Sequence, residues 1–178
     1  MSIQSLVITT MLPVYIPLQF IDKSFSNFEM PITCQIPTII LLTLVFHKKV
    51  VFTAYSIYLI LGLFISPVFH QGGSIGYLLT PNFGYLLGLY PLIKIIDNLN
   101  NRNKINVGNF LKNGFIAIGA MHLTGIFYNF IQTMFYSQFN LFLYNLGKYS
   151  LGKIGYHFFM LFPLLLLIKP IERLKRSK

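Results

Sequence analysis

The sequence predicts an all-α integral membrane protein, one domain over residues 1–178 with six transmembrane helices and both termini cytoplasmic. Three observations carry this. Charged residues make up only 10% of the chain and hydrophobic ones 54%, whereas a soluble domain carries about 25% charged residues. The apolar residues fall into six stretches, at 3–21, 32–47, 50–68, 76–96, 109–136 and 154–171. The basic residues lie between and after those stretches. The same composition excludes intrinsic disorder, and the single Cys34 excludes a disulfide scaffold.

Each stretch is rich in Leu, Ile and Phe, and most reach the roughly 20 residues needed to cross a hydrocarbon core. The first contains Pro13 and Pro17 and is expected to kink or end early, since each proline frees a backbone carbonyl. A cleaved signal peptide is not expected there: the first basic residue is Lys23, and no A-x-A site follows. The second stretch is short and preceded by Pro31; its start places Thr33, Gln35 and Thr38 in apolar surroundings. A glutamine in hydrocarbon needs a partner, so Gln35 should face the bundle interior, in an interhelical hydrogen bond or against a ligand. Between the third and fourth stretches, residues 67–88 hold Gly72, Gly73, Gly76, Gly84 and Gly88 with Pro67 and Pro81. This reads either as a glycine-rich hairpin, with Gly84 and Gly88 as a G-x-x-x-G packing pair, or as backbone N–H groups lining a ligand cavity. The fifth stretch carries His122 in mid-span, and the segment 137–153 before the sixth is expected to be a loop.

Six spans put both ends on one side, and the charges choose which. With the N-terminus inside, 11 of the 14 basic residues are cytoplasmic and only Lys23, Lys148 and Lys153 are outside. The positive-inside rule selects this N-in, C-in orientation in the cell membrane. The tail KPIERLKRSK follows the same rule, with anionic lipid as a secondary contact, and the net charge of +10 does not call for nucleic acid. Loops 22–31, 68–76 and 137–153 then face outward, where an arriving solute meets them first.

Catalytic readings are thin. Gly72-Gly73-Ser74-Ile75-Gly76 fits G-x-S-x-G, but that motif works only on a strand–turn–helix with an acid and a histidine beside Ser74. Asp97 and Glu172 fall on the opposite face, although His70 and His157 are near the outer side. His47, His70, His122 and His157 show no metal-ligand spacing, so no metal site is expected. No G-x-x-x-x-G-K-[ST] occurs, so ATP hydrolysis must come from another chain.

Residues 30–35, MPITCQ, followed by YLILGLFISPVFHQGGSIGYLLTPNFGYLLG at 58–88, resemble the BioY family, the biotin-specific substrate-binding (S) components of energy-coupling factor (ECF) transporters. The matching positions are Pro31, Thr33, Gln35, Tyr58, Gly62, Pro67, Val68, Phe69, Gly72, Gly73, Gly76, Pro81, Gly84, Tyr85 and Gly88. The resemblance implies a six-helix protein that captures biotin from outside, docks on an ECF transmembrane coupling subunit and a pair of ABC-type ATPases, and is not itself an enzyme. Biotin is then its ligand, with no cofactor of its own. Amide, hydroxyl and aromatic groups for biotin are available at Thr33, Gln35, Tyr77, Asn82 and Tyr85. Backbone N–H groups of Gly72, Gly73 and Gly76 are candidates for its carboxylate, with Lys153 in reach if 137–153 folds over the site. Two features depart from the family. Its P-G-D-x-x-K pattern in the last span reads FPLLLLIK here, with Leu165 and Ile168 in place of Asp and Lys and Lys169 one residue out of register. The first span lacks the alanines spaced four apart that meet the coupling subunit; Ser5 and Thr9 give a small-x-x-x-small substitute. An S component for another small vitamin is the alternative these departures motivate.

Overall fold

The computed structural model describes residues 2–17, 27–69, 72–100, 106–135 and 139–176. It opens with helix α1 (Ser2–Met11), which stops well short of the expected span 3–21. Pro13 and Pro17 lack the N–H groups a helix needs, and Leu12, preceding proline, is turned out of the helical region. The chain instead forms strand β1 (Pro13–Pro17), paired antiparallel with β2 (Asn27–Thr33). The hairpin therefore replaces the second half of the first expected span and part of the expected loop 22–31; residues 18–26 lie outside the described set.

Helix α2 (Gln35–Val45) follows a turn at Cys34 whose N–H donates to the Leu12 carbonyl, closing the hairpin onto the helix. Helix α3 (Lys48–Ile60) begins at His47, whose side chain accepts from the Lys49 N–H, and continues through a π-turn at Leu61–Ile65. The fourth expected span, 76–96, is broken into a 3-10 turn (Ile75–Leu79), α4 (Pro81–Leu87) and α5 (Leu89–Asn100). Helix α6 runs unbroken over Val107–Phe135. The expected loop 137–153 is helical from residue 139. Helix α7 (Phe139–Asn145) passes through a π-segment (Leu146–Leu151) into α8 (Gly152–Phe159) and, after a 41° bend, α9 (Leu161–Arg176). Pro163 lies just beyond this break, where its missing N–H costs least.

Among the described residues two helices are long and apolar enough to cross a membrane alone, Lys48–Ile65 and Val107–Phe135, and the bent pair Phe139–Phe159 with Leu161–Arg173 gives a third. Their outward faces carry bare apolar side chains such as Phe64, Ile65, Leu123, Phe127 and Leu166, as expected of a membrane protein facing hydrocarbon. The centre holds Tyr55, Tyr58, Phe110, Leu92, Ile93 and Ile96, all fully buried. At the end where α3 starts, the buried Asp97 at the end of α5 pairs with Lys48 at 3.3 Å. That clip brings the 46–48 turn and the end of α5 together.

Small residues set the closest approaches. A Cβ at Gly88 would stand 2.5 Å from the Met121 carbonyl oxygen, one at Gly84 would strike the Tyr128 side chain, and one at Gly125 the Tyr85 ring. The chain therefore meets the α6 backbone at Gly88 and seats the Tyr128 side chain over Gly84, the close packing expected of G-x-x-x-G.

Candidate functional site

One cavity of about 370 Å³ opens at the hairpin end of the bundle, within the roughly 300–1,000 Å³ typical of small-molecule sites. Its walls come from segments far apart in the chain. Thr10 and Pro13 close one side; Ile32, Thr33, Gln35 and Ile36 come from β2 and the start of α2. Tyr77, Asn82, Tyr85, Leu86 and Leu89 descend along the broken fourth segment to Met121 in α6. Lys148, Tyr149, Lys153 and His157 complete the wall from the last helical segment.

Of the eight residues expected to meet a ligand, Thr33, Gln35, Tyr77, Asn82 and Tyr85 line this cavity together, and Gly72, Gly73 and Gly76 are not among its lining. The glycines shape the turn that delivers Tyr77. Gly72 adopts φ +120°, and its N–H is taken by the Phe69 carbonyl. A Cβ on Gly73 would meet the Gly62 carbonyl oxygen and Pro67 Cα at 2.6 Å, so residue 73 can only be glycine without moving backbone. Gly76 is exposed. Phe69 folds over Gly62 and packs against Tyr77 at 4.7 Å and Tyr58 at 5.4 Å between ring centroids. An aromatic stack thus backs the cavity wall.

Ser74 sits in the same turn with φ 117° and ψ 170°, a region essentially reserved for glycine, at a cost on the order of 1–3 kcal/mol. Its surroundings are not a strand–turn–helix elbow: it follows the extended residues after the α3 π-turn and precedes the five-residue 3-10 turn. His70 and Asp22, two groups a hydrolase would need nearby, lie outside the described residues. Ser74→Gly is expected to raise the thermal unfolding midpoint of the detergent-solubilised protein, because the gain exceeds the roughly 0.5–1 kcal/mol of extra unfolded-state entropy that glycine brings. A lowered midpoint would show that the serine side chain holds the turn.

The polar groups of the cavity are arranged rather than scattered. The fully buried Tyr58 hydroxyl lies 3.1 Å from Thr10 Oγ1, and Gln35 Nε2 donates to it at 3.4 Å. Thr10 Oγ1–H itself donates to the Leu6 carbonyl at 2.6 Å, so Tyr58 O–H must donate to Thr10. With its nitrogen turned to Tyr58, the Gln35 amide has its Oε1 acceptor left for the cavity. Across the space, Lys148 Nζ and Lys153 Nζ approach the Tyr149 ring at 5.3 and 5.5 Å from its centroid. Among the described residues neither lysine has an ion pair. Lys153 therefore reaches the site, because the chain from residue 139 to 153 is helical along the wall and not a detached loop. Lys169 is exposed on α9, and neither Leu165 nor Ile168 lines the cavity.

Sequence spacing conceals one feature. His122 Nε2 and His157 Nδ1 are 2.9 Å apart, and His122 Nδ1 lies 2.9 Å from Ser150 Oγ. The two histidines are 35 residues apart, on different helices. A polar residue within each apolar stretch is the only signal the sequence carries for this pair. Among the described residues no group of three or more His, Cys, Asp or Glu side chains is placed to hold a metal.

The model of the BioY family matches residues 3–167. The chain is 36% identical over 72 residues to a probable biotin transporter BioY of Lysinibacillus sphaericus. That alignment spans 40% of this chain and 37% of the relative's length. The fold is similar to that of the S-component for biotin from an ECF-type ABC transporter, with TM-score 0.62 and 16% identity, covering 98% of this chain and 87% of that one. With the family model spanning nearly the whole chain, and the hairpin, glycine turn and central cavity in one fold, the chain belongs to the BioY family.

Proposed function

We propose that this protein is the biotin-capture S component of an ECF-type uptake transporter. It lies in the plasma membrane as a six-span protein with both termini inside, takes biotin from the outer side, and relies on a coupling subunit and ABC-type ATPases for energy. It performs no catalysis. The observation that carries the reading is one cavity holding amide and hydroxyl groups on one wall and, on the other, two lysines with no ion pair among the described residues, in a chain of this family. Biotin has a ureido ring that both donates and accepts hydrogen bonds, an apolar bicycle and a carboxylate. Gln35 Oε1, Thr33 and Asn82 suit ureido N–H groups; Tyr77, Tyr85 and Tyr149 wall the bicycle; Lys148 and Lys153 suit the carboxylate. Gly72, Gly73 and Gly76 contribute by holding the turn behind Tyr77.

The test is equilibrium binding by the purified protein across a panel of vitamins. Saturable biotin binding at micromolar or better affinity, with no comparable response to the others, supports the reading; selective binding of another vitamin replaces it. That second reading is favoured by Leu165 and Ile168, which stand where the family carries Asp and Lys. Gln35→Leu is expected to weaken biotin binding by about 1–3 kcal/mol, the cost of leaving a buried polar partner unmatched. Unchanged affinity in the folded variant removes Gln35 from the site. Ser74→Gly should bind biotin as the parent does, whereas a serine hydrolase would lose its nucleophile.

A further inference from the structure

Behind the cavity, polar side chains from four helical segments form a file that the binding scheme above leaves unused. Tyr85 comes from α4, Ser150 from the π-segment, His122 from the middle of α6 and His157 from α8. Ser150, His122 and His157 are 2%, 2% and 8% exposed. Only Tyr85 and His157 reach the cavity lining; Ser150 and His122 lie behind it.

The direction of the hydrogen bonds along this file follows from its closed end. The Tyr85 hydroxyl is buried, with no partner in full hydrogen-bonding geometry, and Ser150 is the side chain that interacts with it. A buried hydroxyl proton is costly to leave unmet, and Ser150 is its side-chain contact, so Tyr85 O–H is directed to Ser150 Oγ. Ser150 then donates its own proton to His122 Nδ1, across 2.9 Å. A neutral imidazole that accepts at one nitrogen must donate at the other, so His122 Nε2–H donates to His157 Nδ1, also across 2.9 Å. His157, accepting at Nδ1, must in turn carry its proton on Nε2.

We propose that His157 Nε2–H is a ligand-binding donor, oriented by His122 and Ser150, and that it holds the ureido carbonyl oxygen of the bound vitamin. This rests on the biotin reading above. The assignment to the carbonyl rather than the carboxylate follows from position. Tyr149, Lys153 and His157 follow one another at i, i+4 and i+8 along the cavity wall, so His157 lies one helical turn beyond Lys153. The two lysines and the shared Tyr149 ring occupy the other end of that row. The carboxylate goes to the charges, and the ring system reaches the histidine. His122 touches no ligand and is a positioning residue: it selects which His157 nitrogen bears the proton.

The experiment compares biotin with 2-iminobiotin, which carries an imino nitrogen where biotin carries the carbonyl oxygen, on purified full-length protein. The parent is expected to prefer biotin. His157→Phe should weaken biotin binding by about tenfold and leave 2-iminobiotin binding nearly unchanged, so that the preference narrows. His157→Asn retains a polar group near His122 but lacks the far nitrogen, and is expected to match the phenylalanine variant; it serves if that variant does not fold. His122→Phe should narrow the preference in the same way, and His122→Gln, whose terminal amide keeps a donor toward His157, should restore it. A merely structural histidine would lower both affinities together, and that result, or unchanged biotin binding in the folded variants, overturns the proposal while leaving biotin capture intact. Absence of biotin binding by the parent overturns the underlying reading instead.

Discussion

Gly88→Ala is expected to leave little folded protein, although it adds a single methyl group. That methyl would stand 2.5 Å from the Met121 carbonyl oxygen and 2.9 Å from Met121 Cα. Both are backbone atoms inside the unbroken helix α6, so no rotamer change relieves the overlap; α5 and α6 must separate. Overpacking of a close-packed interior costs about 1–3 kcal/mol where side chains can yield and more where they cannot, and Gly88 is of the second kind. Gly119, on the same helix α6, supplies the control: a Cβ there meets nothing within 4 Å. Gly119→Ala should be neutral or stabilising by up to about 1 kcal/mol, since alanine is the better helix former. Thermal unfolding midpoints in one detergent decide the matter. The prediction fails if Gly88→Ala melts with the parent and Gly119→Ala. Biotin binding should vanish with the fold, because Leu86, Leu89 and Met121, which flank or face Gly88, line the cavity.

Gly88 also marks the kind of feature that residue type and spacing make legible. Apolar stretches reveal which residues lie in lipid or core, since burial follows composition, and a glycine pair four apart reveals where two helices touch. The path of the backbone is a different matter. The prolines at 13 and 17 forecast an early end to the first helix but not a hairpin, because pairing with 27–33 depends on residues many positions away. The segment 137–153 reads as a loop because it contains Asn140, Asn145, Gly147, Lys148 and Gly152. From residue 139 it is helical through a π-segment, the wider turn that recurs at functional sites, and it is tied to α6 by Asn145 on Asn129 and Ser150 on His122 rather than by apolar burial. That override carries Lys148, Tyr149 and Lys153 to the cavity. The His122–His157 contact escapes sequence reading for a related reason: spacing rules detect ligands one or two turns apart on one helix, not partners brought together by two helices.

The missing Asp and Lys of the last span lead to the second large effect, at Lys153. On the linear sequence the loss of that pair suggests a changed ligand or a shifted site. The fold favours a shifted cation: Lys153 borders the cavity one helical turn before His157, while Lys169 faces outward. Lys153→Met keeps most of the aliphatic stem and removes the charge. It should weaken biotin by about 1.5–3 kcal/mol, the range for a hydrogen bond to a charged group, or roughly ten- to a hundredfold. Lys148→Met should cost less, because Lys148 is exposed and water screens it. The two ammoniums share the Tyr149 ring and repel each other, so removing one relieves the other, and the double variant should lose more than the sum of the single ones. Biotinamide, which lacks the carboxylate charge, separates charge recognition from packing: the parent should bind it more weakly than biotin, and Lys153→Met should bind the two about equally. Equal losses for both ligands would assign Lys153 to the wall of the site rather than to the carboxylate. The anion contact would then have to come from another group, and the absent Asp and Lys would again point to a different vitamin.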